Sequence, residues 1–187
     1  MRWHVKLLLL VAIVRPVEAI EVAGVIFPDQ LKVDSTQLSL NGVGLRTATV
    51  FKVKVYAAAL YLKAKATEAQ AVLDAPYPKQ LQMEFLREFE GKDMATSWDH
   101  SFNENCEKEC EGFKASLDAL KALMVTVKKG DRMVYTFRDN SLELVFNGVK
   151  KGEITAKGFS RAILSTWIGK NPPTEVLKKG LLGLTEP

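Results

Sequence analysis

The chain has 187 residues, of which 47% are hydrophobic and 26% charged, and its net charge is +4 at pH 7. Those values are typical of one compact domain with a sizeable core, and they exclude a disordered protein. Because the chain has only two cysteines, they also exclude a small scaffold held together mainly by disulfides.

The first 19 residues have the pattern of a secretory signal peptide. Arg2 and Lys6 precede an apolar run at residues 7–14, and the small residue Ala19 stands at the expected cleavage point. The apolar run is much shorter than the roughly 20 residues that cross a bilayer, which makes a membrane anchor or a buried helix the weaker interpretation. We therefore expect export to the periplasm or the medium, with residues 20–187 as the single mature domain.

Loss of this segment changes the charge on which any electrostatic argument depends. It removes three basic side chains and one acidic side chain, which lowers the net charge from +4 to +2. A nearly neutral domain offers no basic surface of the kind that binds nucleic acid. We therefore expect neither a nucleic-acid partner nor a stable membrane span, and no residue pattern indicates an oligomeric state.

The rest of the chain combines strand-like alternation with a few helical patterns. Strands are predicted at residues 20–28, 36–40, 47–62, 80–85, 133–138, 142–146 and 149–156, and helices at 67–74, 92–124, 160–168 and 174–181. The long helical region should break or bend near Gly112, and residues 41–44 and 147–148 should form turns. Strands in sequential hairpins with helices inserted and appended predict an α+β domain, in which an antiparallel sheet packs one face against helices.

Two of the strands carry basic residues whose placement bears on function. In the third predicted strand, apolar residues from Phe51 onward alternate with Lys52 and Lys54, which indicates one buried face and one wet face. Just after the fourth predicted strand, at residues 80–85, Arg87 continues the alternation on the side of the apolar residues. If the strand continued regularly, Arg87 would be buried and would require a partner anion. The alternative is that the strand ends or bulges near Leu86 and Arg87 reaches solvent.

Side chains suited to covalent catalysis or cofactor binding are scarce. His100 is the only histidine after residue 19, and the sequence has neither a Gly-x-Ser-x-Gly nucleophile motif nor a glycine-rich phosphate loop. Asp99, His100, Cys106 and Cys110 could be read as metal ligands, but they lack the paired short spacings of zinc modules. We expect neither a metal nor a cofactor.

Cys106 and Cys110 are four residues apart on the predicted long helix. In an exported protein a disulfide between them is expected, although a regular helix holds such a pair at poor geometry. Two reduced thiols on a half-buried helix remain an equally good interpretation.

Three groups of segments together carry a resemblance that no single motif would carry. They are residues 40–46 with 51–62, residues 83–87 with 102–106, and residues 158–160 with 167–172 and 177–183. In this order and spacing they resemble the chalcone isomerase family, specifically its small exported bacterial branch of chalcone isomerase-like proteins. The resemblance covers roughly residues 20–184, nearly the whole of the expected mature chain.

The resemblance implies an open-faced β-sandwich, in which helices cover an antiparallel sheet. Enzymes of the family cyclise a chalcone to a flavanone by intramolecular addition of a phenoxide to an enone. That reaction needs a cleft that holds the oxygen near the β-carbon and a cation that favours the oxyanion. Other members are non-catalytic and bind fatty acids, with the carboxylate on an arginine and a tyrosine nearby.

The resemblance also implies roles for individual residues. Arg46 matches the family's arginine, and we expect it to hold an anion because a guanidinium stays charged and offers a fixed fork of donors. Asn105 matches an asparagine on the long helix. Thr166, or Ser165 beside it, matches a hydroxyl residue just before the Ile-Gly-Lys segment.

Two positions depart from the enzymes of the family. Tyr56 stands in place of a threonine that helps to polarise the substrate ketone, and Trp98 stands in place of a tyrosine, which argues against chalcone cyclisation. The leading hypothesis is therefore a cleft that binds a small amphipathic anion, either a fatty acid or an aromatic carboxylate. Ligand contacts are expected from Arg46, Tyr56, Arg87, Trp98 and Asn105.

Two alternatives remain open. The first is an intramolecular lyase of the chalcone isomerase type that cyclises a chalcone-like enone. Its catalytic residues would be Arg46, Tyr56, Asn105 and Thr166. The second is a non-catalytic envelope protein that interacts with other proteins and whose cleft has closed.

Overall fold

The computed structural model describes residues 19–106 and 110–185. Within them lie nine strands: β1 Ala19–Val22, β2 Val25–Pro28, β3 Gln30–Val33, β4 Thr36–Ala48, β5 Val53–Leu62, β6 Lys79–Phe85, β7 Arg132–Phe137, β8 Ser141–Phe146 and β9 Val149–Thr155. The helices are α1 Ala69–Asp74, α2 Gly91–Asn105, a 3₁₀ turn at Cys110–Phe113, α3 Lys114–Ala122, α4 Phe159–Ile168 and α5 Glu175–Leu181. The predicted signal peptide at residues 1–19 lies, apart from Ala19, outside the described residues.

Strands β3 to β9 form one seven-stranded sheet in which each strand pairs with its neighbour in the sequence. All of these pairings are antiparallel. The β1–β2 hairpin forms a separate two-stranded ribbon. The prediction of an α+β domain, with an antiparallel sheet packed against helices, is confirmed.

Strand β5 is buried on both of its faces from Val55 onward. Tyr56 and Ala58 belong to the main core, which lies between the sheet and the helices. Ala57 and Tyr61 belong to a second core on the opposite face, where the β1–β2 ribbon packs. The Tyr61 hydroxyl donates to the carbonyl oxygen of Pro28 at 3.0 Å and so ties the ribbon to the sheet. Because neither face of β5 is wet, its sequence is almost continuously apolar.

Residues 41–44 are part of strand β4, so the prediction of a turn there is wrong. The glycines serve close packing instead: a Cβ atom on Gly42 would lie 2.2 Å from the carbonyl oxygen of Gly180. A Cβ atom on Gly44 would lie 2.8 Å from the carbonyl oxygen of Leu177. Helix α5 can therefore lie directly against β4 only because both strand positions lack a side chain.

The chain turns at residues 49–52, between β4 and β5, so the prediction of one strand over residues 47–62 is wrong at its start. Thr49 and Lys52 have φ angles of +62° and +51°, in the left-handed region that strands do not use. Phe51, which the alternation assigns to the buried face, is 85% exposed. A period of two residues cannot by itself distinguish the start of a strand from an exposed turn.

The predicted long helix is two helices, as the predicted break near Gly112 implies. Helix α2 ends at Asn105, α3 begins at Lys114, and Gly112 lies between them in the 3₁₀ turn. Cys106, directly after α2, and Cys110, at the start of the 3₁₀ turn, form a disulfide with an Sγ–Sγ distance of 2.18 Å and a Cα–Cα distance of 5.8 Å. Since Cys106 lies beyond the last turn of α2, this bond does not have to fit a regular helix.

Candidate functional site

A cavity of about 390 Å³ lies between the sheet and helices α2 and α4. The sheet contributes Arg46, Tyr56, Met83, Phe85 and Tyr135 to its lining. Helix α2 and the segment before it contribute Phe89, Met94, Ser97, Trp98, His100, Ser101 and Glu104, and α4 with the segment after it contributes Thr166, Trp167, Asn171, Pro172 and Pro173. Ligand pockets commonly measure about 300–1,000 Å³, so this space suits a small molecule.

Helix α2 turns one face toward the cavity. Met94, Trp98 and Ser101 recur at intervals of four and three residues, which places them on the same side of the helix. His100 and Glu104 are exposed and stand at the edge of the cavity. The helix therefore supplies apolar side chains to the interior and polar side chains to the rim.

Three aromatic rings form a continuous apolar wall. The Trp167 ring centre lies 5.2 Å from that of Tyr135 and 5.4 Å from that of Trp98, and the Trp98 and Tyr135 centres are 6.0 Å apart. All three residues are almost fully buried. Tilted and edge-to-face contacts at these distances stabilise the rings against one another, so they form one packed apolar surface.

Arg46 and Tyr56 occupy the same side of the cavity because they are partners in the β4–β5 pairing. The guanidinium carbon of Arg46 lies 5.6 Å from the centre of the Tyr56 ring, within range of a cation–π contact. The Nε atom of Arg46 is buried and has no hydrogen-bond acceptor among the described residues. A buried charged donor without an acceptor is costly, and an anion in the cavity would satisfy it.

The Tyr56 hydroxyl is a second donor at this place. It accepts a hydrogen bond from the Trp167 Nε1 atom at 3.2 Å, which leaves its own proton available for an acceptor in the cavity. Burial raises the pKa of Tyr56, and this outweighs the opposing effects of the Arg46 charge and the Trp167 hydrogen bond. Tyr56 is therefore a neutral hydrogen-bond donor at physiological pH.

Trp98 and Thr166 line the cavity as well, but their polar atoms are engaged elsewhere. The Trp98 Nε1 atom donates to the sulfur of Met124 at 3.2 Å, and the Thr166 hydroxyl donates to the carbonyl oxygen of Ile163 at 2.8 Å. Both residues therefore contribute surface to the site. Ser165, the alternative to Thr166, is not among the lining residues and donates to a backbone carbonyl in α4.

Asn105 is buried but does not belong to the lining of the cavity. Its Nδ2 atom donates to the carbonyl oxygens of Ser101 and Asn171, at 2.9 and 2.8 Å. Its Oδ1 atom accepts from the backbone amide of Asn171 at 2.9 Å. The side chain thus holds the segment at residues 171–173 against α2 and shapes the rim, and it does not line the cavity as the expected ligand contact would require.

Arg87 lies outside the cavity. Strand β6 ends at Phe85, and Arg87 is exposed two residues later. The expectation that Arg87 points to the apolar side of a regular strand is therefore wrong, and the alternative, in which the strand ends and the side chain reaches solvent, is correct.

Several lining residues carried no signal in the sequence that would assign them to a site. Met94, Phe89 and Tyr135 belong to periodic apolar patterns that only predict burial. Pro172 and Pro173 mark the end of a helix and reach the rim only because Asn105 anchors the residue before them.

Within the described residues, no three His, Cys, Asp or Glu side chains come together as a metal site would require. Among the helices of the same residues, none has both the length and the apolar character needed to cross a bilayer.

The structure is therefore an α+β fold, in which a curled antiparallel sheet and two helices enclose a cavity of small-molecule size. The chain belongs to the chalcone isomerase-like family, whose sequence model matches residues 19–183. The chain is similar in structure to a fatty-acid binding protein of Arabidopsis thaliana, with a TM-score of 0.72 and 17% sequence identity over 88% of this chain and 96% of that one. No curated protein matches the sequence.

Proposed function

We propose that this protein binds a small amphipathic anion, a fatty acid or an aromatic carboxylate, with the carboxylate on Arg46 and Tyr56. The observation that carries the proposal is the buried Nε atom of Arg46, which lacks an acceptor among the described residues. The guanidinium stands beside the Tyr56 ring, in a cavity with one wall of packed aromatic rings. A guanidinium binds a carboxylate through charge-assisted hydrogen bonds, and the tyrosine adds a neutral donor.

The volume of the cavity indicates how much of a ligand it can enclose. At roughly 30 Å³ for each non-hydrogen atom, a cavity of about 390 Å³ holds about 13 such atoms. That number corresponds to a saturated acid of about 10 to 12 carbons or to a bicyclic aromatic acid. The apolar part would lie against Trp98, Tyr135 and Trp167, whose rings offer flat surface and no free polar atoms toward it.

The similar plant structure supports the binding proposal, because that protein is a fatty-acid binding protein with the same fold. The lyase alternative has less support, since the three polar contacts of Asn105 turn it away from the cavity. The alternative of an envelope protein whose cleft has closed has less support as well, because the structure has a cavity of about 390 Å³.

We also propose that the protein is exported, as in the bacterial branch that the sequence resembles, and acts in the periplasm or outside the cell after removal of residues 1–19. The support is the signal-peptide pattern in the sequence together with the bond between Cys106 and Cys110. Disulfides persist in oxidising compartments and are rare in the reducing cytosol. Determining the N-terminal residue of the protein recovered from cells would test this, and an intact Met1 would contradict it.

The binding proposal can be tested by titrating the protein with saturated fatty acids of about 8 to 16 carbons. The fluorescence of Trp98 and Trp167 monitors binding. We expect the tightest binding at about 10 to 12 carbons, and binding at least tenfold weaker for the alcohol of the same length. Equal affinity for acid and alcohol, or no binding of either, would contradict the proposal. A chalcone should cyclise at its uncatalysed rate, and acceleration would favour the lyase instead.

A further inference from the structure

The turn between β4 and β5 exposes two large apolar side chains next to each other. Val50 is 89% exposed and Phe51 85%, the highest values for large apolar residues in the described parts of the chain. Turns usually carry glycine, asparagine or other polar residues, because their side chains stand in water. We call Val50 and Phe51 the apolar tip, and their exposure points to a contact outside the fold.

A group of cations lies at the same end of the sheet as the apolar tip. This basic collar consists of Lys52, Lys54, Arg87, Lys128 and Lys129, all exposed. Backbone hydrogen bonds hold its segments together: the amide of Leu86 donates to the carbonyl oxygen of Val55 at 2.9 Å, and that of Gly130 to Phe85 at 2.8 Å. Across residues 19–106 and 110–185, no charged side-chain nitrogen of the five collar residues lies within 4.0 Å of a carboxylate oxygen.

Acidic residues at this end are fewer, and two of them already have partners. Glu88, Glu90 and Asp131 lie in the same loops as the collar. Asp131 accepts hydrogen bonds from the Lys128 amide and from an asparagine side chain, and Glu90 accepts one from the Thr126 hydroxyl. Since the five collar cations outnumber these three acids, together they carry a net charge of +2, which favours contact with an anionic surface.

We propose that this end of the sheet docks on an anionic lipid bilayer, with the apolar tip among the headgroups and the basic collar on the phosphates. Insertion of apolar side chains and attraction of basic residues to acidic lipid are each weak alone and bind peripheral proteins when combined. A stable protein partner fits less well, because such interfaces bury roughly 800 Å² on each side and need more apolar surface than two side chains.

The apolar tip lies beside the polar end of the ligand cavity. Arg46 pairs with Tyr56, and Thr47 with Lys54, just before the turn. The tip is five to six residues from Tyr56, which at about 3.3 Å per residue is at most about 20 Å along the chain. Amphipathic acids dissolve in bilayers with their carboxylates at headgroup level, so docking would bring the cavity to such molecules. The docking proposal goes beyond ligand binding and does not depend on it.

A fluorophore at the tip gives a local test. Phe51→Cys can be labelled selectively with an environment-sensitive dye, because Cys106 and Cys110 are bonded to each other. With vesicles of phosphatidylcholine and about 30% phosphatidylglycerol, we expect a blue shift and quenching by spin-labelled lipid. The control Val176→Cys, 67% exposed on α5, should show neither effect. No change at position 51, or equal changes at both positions, would overturn the proposal.

Substitution of the tip tests the apolar contribution. In vesicle sedimentation we expect Val50→Ser/Phe51→Ser to bind at least about tenfold more weakly than the unmodified chain, since two large apolar side chains no longer insert. Val176→Ser should bind normally. All variants keep the same N-terminus, so residues 1–18 contribute equally to each. Without vesicles, the tip variant should bind the fatty acid with the same affinity as the unmodified chain. That measurement separates a loss of docking from a failure of the proposed function.

Charge reversal tests the collar. Lys52→Glu/Lys54→Glu should weaken binding to the same vesicles and reduce its dependence on salt concentration. The matched control is Lys63→Glu/Lys65→Glu, which changes the same charge just beyond the opposite end of β5. If the two double variants bind alike, the proposal is wrong.

Discussion

Arg46 and Tyr56 face each other across the β4–β5 pair, with the guanidinium carbon 5.6 Å from the centre of the tyrosine ring. Trp167 completes the arrangement by donating from its indole nitrogen to the Tyr56 hydroxyl at 3.2 Å. Because backbone pairing within a sheet sets the positions of the cation and the hydroxyl, their spacing is held more firmly than it would be on loops. The polar end of the cavity is therefore preorganised for an anion.

Replacing Tyr56 by Phe removes one of the two donors without changing the shape of the wall. We expect affinity for a medium-chain fatty acid to fall by roughly tenfold, because hydrogen bonds to charged groups contribute about 1.5–3 kcal/mol. The Trp167 indole also loses its acceptor, which should lower the free energy of unfolding by about 1 kcal/mol. Ligand titration and urea unfolding measure the two effects.

Tyr61→Phe is the matched control for Tyr56→Phe. The Tyr61 hydroxyl donates to Pro28 on the opposite face of the sheet, so its loss should lower stability while leaving ligand affinity unchanged. Equal ligand affinity in the two variants would show that the Tyr56 hydroxyl does not contact the ligand.

We predict that Asn105 stabilises the fold by anchoring Asn171 to α2. Asn105→Ala removes two hydrogen bonds to Asn171 and one to Ser101 within α2, and we expect the free energy of unfolding to fall by about 2–3 kcal/mol. Exposed Asn103→Ala is the control and should change it by less than about 0.5 kcal/mol. Urea unfolding checks both, and similar stability for the two variants would contradict the anchoring role.

Lys79 is fully buried at the start of β6. Its Nζ atom donates to the carbonyl oxygen of Leu73 at 2.7 Å and lies 4.4 Å from the centre of the Tyr77 ring. Burial, and to a lesser degree the positive charge of Arg161, lowers the pKa of Lys79 from 10.5 to about 8. Above that pH the folded chain releases a proton that the unfolded chain keeps.

This difference predicts a dependence of stability on pH. Because the unfolded state binds more protons between pH 8 and 10, the free energy of unfolding should rise with pH, by about 2 kcal/mol between pH 7 and 9.5. Lys79→Met should lack this rise. Urea unfolding of both chains over this range measures it, and other titrating groups cancel in the comparison. Parallel curves would contradict the lowered pKa.

Much of the fold follows from residue pattern. Alternation at residues 80–85 and 142–146 matches β6 and β8 closely, and apolar spacing locates α4 and α5 to within about one residue. In each of those elements one face packs against the core, and this burial alone sets the spacing of the apolar residues. Glycine is less informative, since Gly42 equally suits a turn or the close approach of another backbone, and only the position of α5 decides between them.

The site is only partly visible in the sequence. Arg46, Tyr56, Trp98 and Thr166 all line the cavity. The role of Asn105 depends on a contact with Asn171, 66 residues away, and no local pattern predicts it. The prediction that Arg87 is buried was wrong because alternation assigns a side chain to one face only while the strand continues, and β6 ends at Phe85.

The carboxylate contact of Arg46 is tested most directly by measuring dissociation constants for decanoate and decanol. The chains to compare are the unmodified one, Arg46→Ala and, as control, exposed Arg87→Ala. We predict that Arg46→Ala weakens decanoate binding at least about tenfold and leaves decanol binding within about twofold, since only the acid carries the charge that the guanidinium recognises. Unchanged decanoate affinity, or an equal loss for both ligands, would contradict an anion site at Arg46.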